Sequence, residues 1–167
     1  TFPGAGIAAI ATSVGNVMDI KKHMTVQTIG HDKLNQLRHS RVFRNLEDVK
    51  EHMKVHQSIL QPKFQLLYRV FDKELSEVEG VHWTKPNGGY FVSLNVLDGC
   101  AKKTVKLAKE AGVTLTKAGA TYPYGIDPND SNIRIAPSLP PVEELEQAME
   151  VLCVCLKLAA LEKLLDT

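Results

Sequence analysis

Cysteine is scarce in this sequence: 167 residues hold three, Cys100, Cys153 and Cys155. Three thiols cannot build the disulfide framework that staples small secreted domains. Cys153 and Cys155 stand two apart in a helical pattern, so they point to different faces, and no metal-type Cys/His spacing accompanies them. They read as small core residues in a reducing compartment, which makes the expected location cytoplasmic. An excess of charge is missing too. With 20 basic and 19 acidic residues the net charge is +1, and such a chain carries no electrostatic footprint for nucleic acid. No apolar run approaches the ~18 residues of a membrane-spanning helix, so no membrane is expected as a partner. The opening has neither the charged n-region nor the cleavage pattern of a signal peptide. It starts at Thr1 rather than at a methionine, and reads as cut from something longer.

What is present is an ordinary globular balance, 44% hydrophobic and 23% charged, enough for a real core. Residues 1–15 are small and apolar, with Gly4, Gly6 and Gly15 among Ala and Ile. Such a run suits a backbone that passes close to another group or offers its amides to an anion. It equally suits a tightly packed turn and strand. Residues 17–28 are amphipathic, and Asp32 can cap a short polar helix over 33–39 that carries Asn35, Gln36, Arg38 and His39.

From Leu46 the apolar residues Val49, Met53, Leu60, Leu67, Phe71 and Val78 recur at helical spacing. With Asn45 as N-cap and Gly80 just past the end, this predicts one helix of about 45 Å, a spine between two lobes. Pro62 lies off the apolar stripe and predicts a kink rather than a stop. His52 and His56 share a helix face but lack a third metal ligand. After Gly80 the pieces shorten. Strands are expected over 81–84, 90–96, 113–116 and 132–136, with a Pro-Asn-Gly-Gly turn at 86–89. A helix capped by Asp98 should end at Gly112, and a last helix should follow Pro141 over 142–165. The expected class is α/β, divided into a leading segment at 1–45, a connecting helix at 46–79 and a small α+β sandwich at 80–167.

Residues 118–141 carry the most information. A Gly/Pro/Asp-rich loop runs into a β-branched strand whose single charge is Arg134. An unpaired charge on a largely buried strand costs several kcal/mol, so it calls for an anionic partner. The planar fork of a guanidinium suits a carboxylate, gripped through two bonds. That carboxylate is either one brought by a small substrate or an internal Asp or Glu.

Taken in order, the glycine-rich opening, the long helix, Pro-Asn-Gly-Gly-Tyr-Phe at 86–91, Ala-Gly-Ala-Thr-Tyr-Pro-Tyr-Gly at 118–125 and Asn-Ile-Arg-Ile-Ala-Pro at 132–137 form a familiar series. The chain resembles the C-terminal half of a fold-type-I pyridoxal-phosphate aminotransferase, in the aspartate-aminotransferase-like branch of MocR type. The resemblance implies the end of a large domain, a spine helix and a small α+β domain. It also implies pyridoxal 5'-phosphate as cofactor, a homodimer, and transfer of an amino group between an aspartate- or glutamate-like amino acid and a 2-oxo acid.

By the same resemblance Arg134 clamps the substrate α-carboxylate, Gly89, Tyr90 and Phe91 line the substrate side, and 118–125 form a mobile wall. Thr1, Gly4 and Gly6 fall beside the cofactor. The Schiff-base lysine belongs just before Thr1, so the fragment alone is expected to be inactive. The family's phosphate-holding arginine is absent from this opening. Backbone amides and hydroxyls such as Thr1, or an arginine from elsewhere, would take its place. Asn35 and Arg38 fall where relatives reach into the partner subunit's site, and Arg38 reads either as a reader of a distal carboxylate or as half of a surface ion pair. Two other classes remain: the effector domain of an aminotransferase-like transcription regulator, and a ligand-binding α+β module without cofactor.

Overall fold

The computed structural model describes residue 2 and residues 4–165, in two compact units, Thr1–Gln57 and Ser58–Thr167. In the first unit, Ser13 accepts the Asn16 amide and starts helix α1, Val14–Gln27, none of whose residues is buried. Asp32 caps α2, Lys33–Val42, by accepting the Asn35 amide at 2.9 Å. The helix found there runs past the predicted end at His39. The rings of Phe2, His39, Phe43 and His52 pack together with centroids 5.1 to 6.0 Å apart, and His56 lies 4.6 Å from His52. Among the described residues no three potential ligands are grouped to hold a metal ion.

Helix α3, Leu46–Glu74, begins in the first unit, where Asn45 accepts the Asp48 amide at 3.0 Å, and continues into the second. Pro62 lies inside it without ending it. The helix stops at Glu74, short of Gly80 where the periodicity placed its end. The chain instead folds through two tighter turns, Val78 N–H to Leu75 and Val81 N–H to Val78. The apolar spacing ran on because Val78 still packs on the core from within a turn. Periodicity records burial, and here burial outlasts the helix.

In the second unit β1, His82–Trp83, β2, Val92–Asn95, and β3, Asn132–Ile135, form an antiparallel sheet in the order β1-β2-β3. The register sets Val92 opposite Ile135, Ser93 opposite Arg134, Leu94 opposite Ile133 and Asn95 opposite Asn132. Because side chains alternate along a strand, this register sorts the sheet into two faces. One face is apolar: Val92, Leu94, Ile133 and Ile135 are buried together with Leu67, Val70 and Phe71 of α3. Helices α4, Ala101–Glu110, and α5, Val142–Leu165, complete that core with Ala101, Ala108, Leu145, Met149, Leu152 and Leu156. The other face carries Ser93, Asn95, Asn132 and Arg134, with His82 continuing it onto β1.

Two expectations about this unit fail. Residues 113–116 are not a strand: Val113 and Leu115 pack on the core, but no ladder forms. Asp98 does not cap α4. The cap position is Cys100, whose side chain makes no capping bond, and the open amides are met from the preceding loop of β3. Asp130 accepts the Lys102 amide through its carboxylate and the Ala101 amide through its carbonyl. A cap supplied from 28 residues away leaves no local sequence signal. The three cysteines are free thiols buried in the core, as read, and burial pushes the Cys153 thiol up to about 12.

Candidate functional site

The loop before β3 is built from residues whose side chains serve backbone. Gly119 has φ +83°, and a Cβ there would sit 2.5 Å from the carbonyl oxygen of Gly125, so the two ends of the Thr121–Tyr124 bend close on a position only glycine fits. Gly119→Ala should therefore destabilise the protein by about 1–3 kcal/mol. Gly125→Ala, also at positive φ but with nothing within 4 Å, should cost less. Paired thermal melts check the order of the two. Tyr124, at φ +58° and fully exposed, stands at the tip of this bend.

Asp127 is buried, and its carboxylate accepts the amides of Asn129, Ser131 and Asn132 at 3.1, 2.8 and 2.8 Å. Burial pushes its pKa up, but the amide donors outweigh that and hold it below the usual carboxylate value. A pKa lowered on folding adds stability that is complete above the unfolded value and is lost as pH falls through the folded one. The loop's contribution should thus decline only below about pH 4, and Asp127→Asn should flatten that acid limb in melts between about pH 5 and pH 2.

Asp127 delivers the chain into β3, where Asn132 is the hub of the polar face. Its Nδ2 donates to Ser93 Oγ and to Asn95 Oδ1, both at 2.8 Å, and its Oδ1 accepts the Thr121 hydroxyl at 2.7 Å. Two residues on, Arg134 is half-buried, with its guanidinium carbon 4.6 Å from the centre of the Phe91 ring. Its Nε is buried and has no hydrogen-bond partner, and no carboxylate pairs with it among the described residues. The internal ion pair that the sequence left open is therefore not formed among the described residues.

Of the other predicted site residues in this unit, Gly89 sits at φ +95° in the turn, and Tyr90 and Phe91 are about half exposed. Phe91 is the one the fold brings to Arg134. An apolar groove of about 610 Å³ lined by Val78, Leu97, Lys157, Ala160, Leu161 and Leu164 does not include Arg134. Sequence reasoning missed Asn132, Asn95 and Asp127, and took in Thr121 only as part of the 118–125 segment. Asp127-Pro128-Asn129-Asp130 is a turn signature that could have exposed Asp127, whereas the Asn132 hub depends on strand register.

The remaining predicted residues lie in the first unit. Asn35 Nδ2 donates to the carbonyls of Ala5 at 3.1 Å and Gly6 at 3.3 Å, which ties α2 to the opening segment. Arg38 is exposed and makes no ion pair among the described residues. Gly4 and Gly6 are exposed, and a Cβ at either would meet nothing within 4 Å. Thr1 lies outside the described residues. A cofactor phosphate needs convergent donors or a cation. Residues 1–20 contain no Lys or Arg, the Ala5 amide already donates to Phe2, and no neighbour crowds the glycines into a cradle. Among the described residues, the opening segment therefore forms no cradle for a cofactor phosphate.

The sequence matches the aspartate amino-transferase family over residues 1–167. An aspartate aminotransferase of Corynebacterium glutamicum is 46% identical over 162 residues, which are 97% of this chain and 38% of that protein. A crystal structure of an aspartate transaminase from C. glutamicum matches with a TM-score of 0.84 at 46% identity, covering 91% of this chain and 36% of that one. LysN, an alpha-aminoadipate aminotransferase of Thermus thermophilus complexed with N-(5'-phosphopyridoxyl)-L-leucine, shares the fold with a TM-score of 0.71 at 18% identity, over 87% of this chain and 36% of that one. The chain spans 39% and 38% of the length of the curated relatives it matches. With its three-stranded sheet, its covering helices and this match along its whole length, the chain belongs to the aspartate amino-transferase family and has the α/β architecture of fold-type-I aminotransferases.

Proposed function

We propose that this chain supplies the carboxylate grip of an aminotransferase that moves an amino group between an amino acid and a 2-oxo acid. The observation that carries this is the buried Nε of Arg134, which has no partner. A buried donor left unsatisfied costs about 1–3 kcal/mol, and more when charged. A carboxylate brought by substrate would give this half-buried guanidinium the anion it lacks among the described residues, held by the fork in one orientation. Phe91, beneath the guanidinium, restrains its plane while leaving its positive charge intact.

The cofactor of this reaction is pyridoxal 5'-phosphate, which when bound supplies an electron sink for chemistry at the amino acid's Cα. Its pocket would be completed by residues beyond those described, a Schiff-base lysine among them, and by a second subunit of a homodimer. Arg38, exposed and without an ion pair among the described residues, would read a distal carboxylate in a partner subunit's site, which favours aspartate or glutamate as donor. Incubating the intact protein with each of these amino acids and a 2-oxo acid should yield the new amino acid, measured by chromatography. An intact protein that binds amino acids but forms no product with either donor would refute the catalytic part and leave a binding role.

A further inference from the structure

The polar face of the sheet is notable for the groups it carries beside Arg134. Asn132 precedes Arg134 by two residues on the same side of β3, about 6.6 Å along the strand. Asn95 lies opposite Asn132 and therefore diagonal to Arg134, roughly 7–8 Å away. A carboxylate at either place would be within reach of a long, flexible arginine. Both places hold the neutral isostere instead.

The Asn132 amide is also spent. Asn132 uses both N–H groups, on Ser93 and Asn95, and its oxygen accepts from Thr121. Nothing in that set needs the guanidinium. The two acids nearest in sequence are occupied elsewhere: Asp130 accepts the Lys102 amide at 3.1 Å, and Asp127 accepts three backbone amides. The face thus combines one cation whose Nε lacks a partner with side chains that satisfy one another.

We infer that the amide pair Asn95–Asn132 is a specificity-determining element. It fills with neutral groups the positions from which an acid could claim Arg134, and so reserves the guanidinium for a carboxylate that arrives with substrate. This rests on the role given to Arg134 under the proposed function. The two amides are positioning residues that act through Arg134.

The test uses the intact protein, its amino-acid substrate, and succinate as a competitive carboxylate probe. Asn132→Asp keeps the side-chain shape and adds one negative charge. It should raise KM and the succinate inhibition constant at least tenfold while lowering kcat less than threefold. Asn132→Ser removes the amide without adding charge and should raise KM by no more than a third of the factor seen in Asn132→Asp. Asn95→Asp, which still offers an acceptor to Asn132 Nδ2, should raise KM at least threefold, and it decides the matter if Asn132→Asp does not fold. An Asn132→Asp variant with KM within twofold of the parent, or equal losses in Asn132→Asp and Asn132→Ser, would overturn the inference. Arg134→Ala, run in parallel, separates the two levels. If it binds succinate as the parent does, the role of Arg134 falls; if it loses succinate while the Asp variants do not, only the role of the amide pair falls.

Discussion

Replacing Arg134 with alanine in the intact protein is expected to lower kcat/KM for the amino acid by roughly 30- to 1000-fold, or about 2–4 kcal/mol. Most of the loss should appear in KM, because the guanidinium grips a carboxylate that is charged in the ground state as well as in the transition state. The remainder should appear in kcat, since a substrate held by one fork in one orientation meets the catalytic groups more often than a loosely held one. Arg134→Lys keeps the charge and loses the two-pronged geometry, so it should fall between the parent and Arg134→Ala. Steady-state kinetics on the three proteins check this. A loss of less than about tenfold in Arg134→Ala would mean that the partnerless Nε seen here is not there for substrate.

The second large effect concerns stability. Phe71 is completely buried in the core behind the sheet and meets Trp83 edge-on, with ring centroids 5.5 Å apart. Truncation to alanine removes a ring from a close-packed site and leaves a cavity, at a cost of about 3–5 kcal/mol. For a chain of this size that is a fall in Tm of roughly 6–20 °C. Phe71→Leu should cost less, because it keeps most of the volume. Denaturant unfolding followed by tryptophan fluorescence suits the measurement, since Trp83 is the chain's single tryptophan and touches the mutated ring. A cost below about 1 kcal/mol would show that α3 and the sheet are not held together through this contact. The consequence reaches the site, because Ile133 and Ile135, on either side of Arg134, bury their side chains in the same core.

The parts that could be read from sequence were those with a short-range physical signal. Asp32 as the cap of α2, Asn45 as the cap of α3 and the core run through Leu67 and Phe71 each follow from neighbours a few residues away. Arg134 was legible for a related reason: one charge among β-branched residues is conspicuous in a single strand. The misses have a common cause. The strand expected at 113–116 had the right residue types, but a strand exists only with a partner, and none forms a ladder with it. Asp98 looked like a cap by position, and Asp130 displaced it from a distant loop. The Thr121–Asn132–Ser93–Asn95 network was invisible because it depends on which residues the register sets side by side. The tie from Asn35 Nδ2 to the carbonyls of Ala5 and Gly6, 30 and 29 residues away, left no local signal either.

The most direct measurement follows the orphan donor itself. In the intact protein labelled with nitrogen-15, the Nε–H resonance of Arg134, assigned by its loss in Arg134→Lys, is recorded while succinate is added. The resonance should shift and saturate with the same dissociation constant that succinate shows as a competitive inhibitor. Succinate that inhibits fully while the Arg134 resonance stays in place would contradict a carboxylate grip at this residue.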